Sequence, residues 1–186
     1  LNIKEFITVN FDAVKDIIDS IGGVEMTITS EEVSHISGIT KAGTYNLTGE
    51  QALAYARIRY ASGGDYKRTE RMRDVLTAVA NKVKTMNVSQ LNNLVDELLP
   101  KVYTNITAAD IFSLFPSIAS FNITESIGWP YETKGITLDR WYGVPVTLES
   151  NVKQLHQELF NETEYEPSET VKTISNSIVQ RTGYSN

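Results

Sequence analysis

The chain has 186 residues, 41% of them hydrophobic, with a net charge of −6 and no cysteine. That is the length of one ordinary domain, able to bury a core, and the composition is globular rather than disordered. The missing cysteine excludes disulfides, thiolate metal sites and cysteine nucleophiles, and no apolar run reaches the roughly 18 residues that a bilayer-spanning helix needs.

Phe11, Val14, Ile17, Ile18 and Ile21 recur at helical spacing, and Gly22-Gly23 behind them predicts closure by a left-handed C-terminal cap. Val24 to Thr29 alternates apolar and polar residues, the pattern of a half-buried strand. Thr48 is expected to cap a second helix with Gln51 in a capping box, sending Ala52, Leu53 and Ala56 inward and delivering Arg57 and Arg59 at its last turn. Ala61-Ser62-Gly63-Gly64 then reads as a loop that permits close backbone approach to a ligand.

A third helix is expected from about Tyr66 to Met86, with Met72, Val75, Leu76, Val79 and Val83 as one buried stripe. On that wheel Arg68 and Arg71 face inward, while Glu70, Arg73 and Asp74 point roughly the other way. Asp65, just before the helix, is placed to cap it, and the same helix end favours an anion. Downstream, helices are predicted from Ser89 to Leu99 and from about Thr107, the second with Ile111, Leu114, Phe115 and Ile118 inward. Strands are predicted at Ile123 to Ile127 and Gly143 to Leu148. An amphipathic helix follows with Val152, Leu155, Leu159 and Phe160, and a polar segment from residue 161 has Val171, Ile174 and Ile178 at helical spacing. The expected fold class is mixed α/β (α+β), a central sheet covered by helices on both sides.

The chemistry gathers in one place. Five of the seven arginines, Arg57, Arg59, Arg68, Arg71 and Arg73, fall within seventeen residues of an otherwise acidic chain. Guanidinium forks match phosphate and carboxylate and stay charged near neutrality, so such a cluster suits an oxyanion site. The competing reading is a solvated, salt-bridged helix, because Glu50, Asp65, Glu70 and Asp74 interleave the arginines. Inward projection of Arg68 and Arg71 weighs against it, since a buried guanidinium demands an anionic partner; Arg73 keeps the surface reading. His35 and His156 are isolated and lack ligand spacing, and no P-loop, dinucleotide turn or G-x-S-x-G elbow is present.

The runs VNFDAVKDIIDSIGGVEM, AGTYNLTGEQALAYARIRY and GDYKRTERMRDVLTAVANKV, in that order and spacing, resemble the LytR-CpsA-Psr family of bacterial cell-envelope proteins. RWYGVPVTLESNVKQLHQELF and EYEPSETV extend the resemblance almost to the C-terminus. It implies a phosphotransferase on the extracytoplasmic face of the cell membrane, anchored by an N-terminal transmembrane helix not present in this chain. Such an enzyme moves a teichoic acid or capsular polysaccharide from a polyprenyl pyrophosphate carrier to peptidoglycan. The A-R-x-R and G-D-x-x-R motifs then assign Arg57, Arg59 and Arg68 to the pyrophosphate, with Arg71 as a further ligand, and make Asp65 and Arg59 catalytic. Mg2+ is the implied cofactor, with Asp65 a candidate ligand.

Two departures accompany the resemblance: Met72 stands where the family often has Gln, and Ala61-Ser62-Gly63 where an acidic residue often precedes Gly64-Asp65. The family's upstream segment, with further strands, a metal-binding aspartate and more arginines, is not in this sequence. Leu1 is no initiator methionine, so residues 1–186 are expected to be the C-terminal larger part of one domain, with 161–186 as an extension and the upstream segment as a partner. A non-catalytic module binding polyprenyl phosphate or glycan is an alternative, and a transcriptional attenuator is another. Direct nucleic-acid binding is opposed by the inward arginines and acidic surroundings.

Overall fold

A computed structural model describes residues 4–59, 61, 64–123 and 128–185, and gives the backbone alone for residues 64–66. The chain divides into two compact units, Leu1–Thr124 and Glu125–Asn186.

In the first unit a two-residue strand β1 (Ile7–Thr8) precedes helix α1 (Phe11–Ser20), capped by the Asn10 side chain on the amide of Ala13. The predicted left-handed end is present. Gly22 and Gly23 have φ of 80° and 87°, the Gly23 amide donates to the Ile18 carbonyl at 2.8 Å and the Gly22 amide to Asp19 at 3.0 Å. These are the two bonds of a Schellman motif. They turn the chain directly into β2 (Val24–Ile28), whose Val24, Met26 and Ile28 are buried while Glu25 and Thr27 are exposed.

β2 pairs antiparallel with β3 (Gly43–Leu47), a strand that the sequence reading did not assign. Helix α2 (Gly49–Ala56) follows with the expected Thr48–Gln51 capping box. Its first residue must be glycine, because a methyl group there would overlap the backbone of Lys15 in α1. Asp19 of α1 also accepts from the Gly49 amide at 2.7 Å. Helix α3 (Gly64–Lys84) packs on β2, and α4 (Val88–Leu98) on α1. The unit ends with β4 (Tyr103–Thr104), paired to β1, and α5 (Ala108–Leu114), which continues into a 3-10 turn. Its core is built from Ile18, Val24, Ile28, Leu47, Ala52 and Val75 with their neighbours. Of the residues expected inward on α5, Leu114 is exposed.

In the second unit β5 (Thr133–Thr137) and β6 (Trp141–Pro145) form an antiparallel hairpin, followed by α6 (Leu148–Phe160) and α7 (Glu169–Thr182). Buried Asn151 ties the hairpin to α6: its amide donates to the Thr147 carbonyl at 2.7 Å, and its oxygen accepts from the Glu132 amide at 3.0 Å. α7, within the segment read as an extension, packs on α6. The strand expected at Gly143 to Leu148 ends at Pro145, because Thr147 begins the capping box of α6. On α6, Leu159 and Phe160 are exposed. Four residues of the strand predicted at 123–127 lie outside the described residues.

The fold is mixed α/β, as expected, with small sheets. In place of one central sheet, the described strands form three separate two-stranded antiparallel ladders. Helices do not cover both faces of the β2–β3 ladder among the described residues: polar Glu25 and Thr27 leave its second face exposed, whereas Val24, Met26 and Ile28 bury the first.

Candidate functional site

Arg57 and Arg59 are presented by the exit of α2. Arg57 is the C-cap, its amide satisfied by the carbonyls of Leu53 and Ala54, each at 3.2 Å. Ile58 next to it is buried, so the flanking side chains of Arg57 and Arg59 are both left exposed. Burial of the middle residue of the A-R-I-R motif is thus what presents the two cations. Arg57 lies over the ring of Phe11, its guanidinium carbon 5.0 Å from the centroid, a cation–π arrangement.

Arg68, half-buried on α3, lines the same cleft as Arg57 and Arg59, a space of about 730 Å3. The rest of the lining is strongly apolar: Val9 and Phe11 before and in α1, Leu53 in α2, Met72, Val75 and Leu76 in α3. Here the expected stripe of α3 needs correction. Val75 is buried and Val79 and Val83 pack on the core, but Met72 and Leu76 are 44% and 58% exposed. They continue the row begun by Arg68 at intervals of four, which is one face of a helix. That row forms the cleft wall, and the core is filled by Val75, Ala78 and Val79 on the adjacent face.

Arg71 lies elsewhere. It does not line the cleft of Arg57, Arg59 and Arg68; it is 5% exposed, and its Nε donates to Glu32 Oε1 at 2.7 Å. Its Nη1 makes a long contact, 3.5 Å, to the carbonyl of Ile58. Glu32 is equally buried, and its second oxygen accepts from the Thr29 amide at 2.9 Å and the Thr29 hydroxyl at 2.8 Å. Burial pushes the Glu32 carboxyl up, but the Thr29 amide, the Arg71 fork and the Thr29 hydroxyl together outweigh it and hold the group below its usual range. Tyr55 beside them is pushed up to about 12 by burial and by the Glu32 and Asp74 carboxylates. The inward projection expected for Arg71 is therefore present, with a carboxylate of the protein itself as its anion. Arg73 is half-buried and lines neither flank.

Asp65 falls in the first turn of α3, and its side chain lies outside the described residues. Among the described residues no group of three or more His, Asp or Glu side chains gathers to hold a metal ion; Mg2+ needs only one or two carboxylates beside substrate phosphates. Phe11, Leu53 and Leu76 were assigned by periodicity to ordinary packing, and Glu32 carried no signal at all. An apolar row that begins on a cation, Arg68-Met72-Leu76, is the pattern that marks the wall in retrospect.

Among the described residues no helix is long and apolar enough to cross a membrane. The chain is similar to the polyisoprenyl-teichoic acid–peptidoglycan teichoic acid transferase TagT of Bacillus subtilis, with 35% identity over 138 residues that make up 68% of this chain and 42% of that protein. It is also similar to biofilm regulatory protein A of Streptococcus mutans, 27% identical over 83% of this chain and 38% of that one. It thus spans about two fifths of the length of these curated relatives. Among solved structures, TagT bound to LIIa-WTA superposes with a TM-score of 0.67 at 26% identity, over 88% of this chain and 62% of that one. A transcriptional regulator from Enterococcus faecalis gives a TM-score of 0.72 at 22% identity, over 98% and 68%, which shows the fold. The LytR_cpsA_psr family model matches residues 1–160. The chain belongs to that family.

Proposed function

We propose that this domain takes part in transferring a teichoic acid or capsular glycopolymer from a polyprenyl pyrophosphate to peptidoglycan at the extracytoplasmic face of the membrane. One observation carries the reading: a single cleft joins three guanidinium-bearing residues, Arg57, Arg59 and Arg68, to an apolar wall of Phe11, Leu53 and Leu76. Its natural ligand has a multiply charged oxyanion head and a hydrocarbon tail, the chemistry of an isoprenoid pyrophosphate. TagT, the relative captured with a wall teichoic acid ligand, supports the same class.

In the proposed reaction a hydroxyl oxygen of the acceptor forms a bond to the phosphorus bearing the sugar. The P–O bond to the bridging oxygen breaks, and polyprenyl phosphate leaves with the electron pair. Such displacement calls for positioning and charge neutralisation rather than a protein nucleophile. Arg57 and Arg68 would hold the pyrophosphate, Arg59 would stabilise the charge growing on the leaving phosphate, and Asp65 would accept the hydroxyl proton. Mg2+, when bound, would share in neutralising the pyrophosphate, with Asp65 as its candidate ligand.

The test is release of polyprenyl monophosphate from a polyprenyl-pyrophosphate-linked saccharide by the full protein with peptidoglycan and Mg2+, compared with Arg59→Ala and Arg68→Ala. Release that both variants abolish is expected; undiminished release from either would sink the site assignment. The second reading, lipid binding without transfer, is favoured by Met72, which lines the cleft with a thioether where the family often has Gln. It predicts bound lipid and no monophosphate in the same assay.

A further inference from the structure

We infer that Arg71 is a positioning residue for Arg57 and Arg59, clamped by Glu32 so that its second nitrogen holds the carbonyl of Ile58 between them. The inference rests on the proposed reading of the cleft and deepens it. It also departs from the expectation, added to the motif residues, that Arg71 binds the pyrophosphate itself.

Four observations converge. Arg71 and Glu32 are both buried, with side-chain exposures of 7% each, and they meet at 2.7 Å. Glu32 is fixed in turn by two bonds from Thr29, at the end of the strand β2. Nη1 of Arg71 reaches the Ile58 carbonyl, 13 residues back in the chain, at 3.5 Å. Ile58 is itself 3% exposed, and its neighbours on both sides are the two cleft arginines. Beyond the α2 cap the A-R-I-R segment belongs to no helix or strand, so its course depends on such ties. Thr29, Glu32, Arg71 and Ile58 thus form a chain of contacts from the β2 end to the motif. A buried guanidinium is suited to the task, because its planar fork can bind a carboxylate and a carbonyl at once in fixed geometry. Supporting shells of this kind set the orientation of groups that touch the ligand.

Three roles for Arg71 give three different outcomes with Glu32→Gln, read as affinity for inorganic pyrophosphate by titration calorimetry at a temperature where the variant is folded. A direct phosphate ligand would be released from its carboxylate and bind more tightly. A purely structural residue would leave affinity unchanged. The positioning role predicts affinity lower by about tenfold. It predicts the same loss for the double variant Glu32→Gln with Arg71→Met, which removes both charges and so avoids leaving either one buried alone. In a background with both Arg57→Ala and Arg59→Ala the double variant should cost at most twofold more, because the groups being positioned are gone.

A second arm needs no ligand. Amide hydrogen exchange at residues 57–59 should accelerate at least tenfold in the double variant, with that of Ala52 unchanged. If the wild type bound no pyrophosphate, the reading of the cleft would fall while the exchange arm still decided the clamp. Tighter or unchanged binding in Glu32→Gln, or unaltered exchange at 57–59, overturns the inference.

Discussion

Arg68 and Arg71 stand three residues apart on α3 and carry the same charged group, yet they meet opposite surroundings. Arg71 is sealed against Glu32, with its fork turned to that carboxylate and to the Ile58 carbonyl. Arg68 lines a cleft whose wall includes Met72 and Leu76, residues that an ordinary helix would bury. A guanidinium enclosed with a carboxylate serves the fold, because losing its partner leaves a charge in a dry place. One beside apolar surface and two other arginines suits the ligand proposed for the cleft, because a polyanion is what such a cluster attracts. The difference between the flanks comes from neighbours, and the two arginines alone do not show it.

The largest effect is expected on the Arg71 flank. Glu32→Ala leaves the guanidinium buried without its carboxylate, and broken buried pairs cost about 3–5 kcal/mol. Urea unfolding should show a loss on that scale, and a loss under about 1 kcal/mol would mean that the pair is not buried in solution. Its pH dependence has a definite sign. The folded carboxyl titrates below the ordinary value of 4.5, so the unfolded chain binds more protons in that range. The contribution of the pair is full above pH 4.5 and is lost as the pH falls through the lower folded value. The stability gap between wild type and Glu32→Ala should therefore narrow below pH 4.5, and a gap that widens there would refute the assignment.

Arg68→Ala should do the reverse. Stability should fall less than it does in Glu32→Ala, whereas binding of a pyrophosphate should weaken by about 1.5–3 kcal/mol, the range for hydrogen bonds to charged groups. Calorimetric titration with inorganic pyrophosphate reads it. A destabilised variant with unchanged affinity would exchange the roles of the two flanks. Next comes Leu76→Asn, which removes apolar wall without adding charge. About 1 kcal/mol should be lost with an isoprenoid pyrophosphate, since a half-exposed leucine contributes only part of its burial energy. Inorganic pyrophosphate should not distinguish the variant from wild type. Equal losses with both ligands would remove the tail from that wall.

Much of the first unit is readable from residues. The Gly22-Gly23 cap, the alternation in β2 and the Thr48–Gln51 box are local devices, each fixed by a few adjacent side chains, and each was found where periodicity placed it. β3 escaped because Thr44, Tyr45 and Asn46 sit among turn residues, and only the pairing with β2 selects the strand. The stripe of α3 was legible as apolar but not as divided, since Met72 and Leu76 differ from Val75 and Val79 by what stands opposite, a long-range fact. Glu32 was illegible for the same reason: nothing near it in sequence announces an arginine 39 residues away. The motif named the arginines as a group, and the burial of Ile58 and of Arg71 sorts them.

The smallest effect tests the contact least visible in the sequence, that of Arg57 with Phe11. A ring face under a guanidinium contributes about 0.5–1 kcal/mol at exposed sites, and Phe11 is 53% exposed. Phe11→Leu keeps an apolar side chain in the wall and removes only the π face. If the ring orients Arg57 toward the head of the ligand, affinity should fall twofold to fivefold for inorganic pyrophosphate and for an isoprenoid pyrophosphate alike. If Phe11 is wall alone, only the isoprenoid ligand should respond. A loss shared by both ligands would make Phe11 part of the charged end of the cleft, although it contributes no charge, and would place the boundary between head and tail within α1.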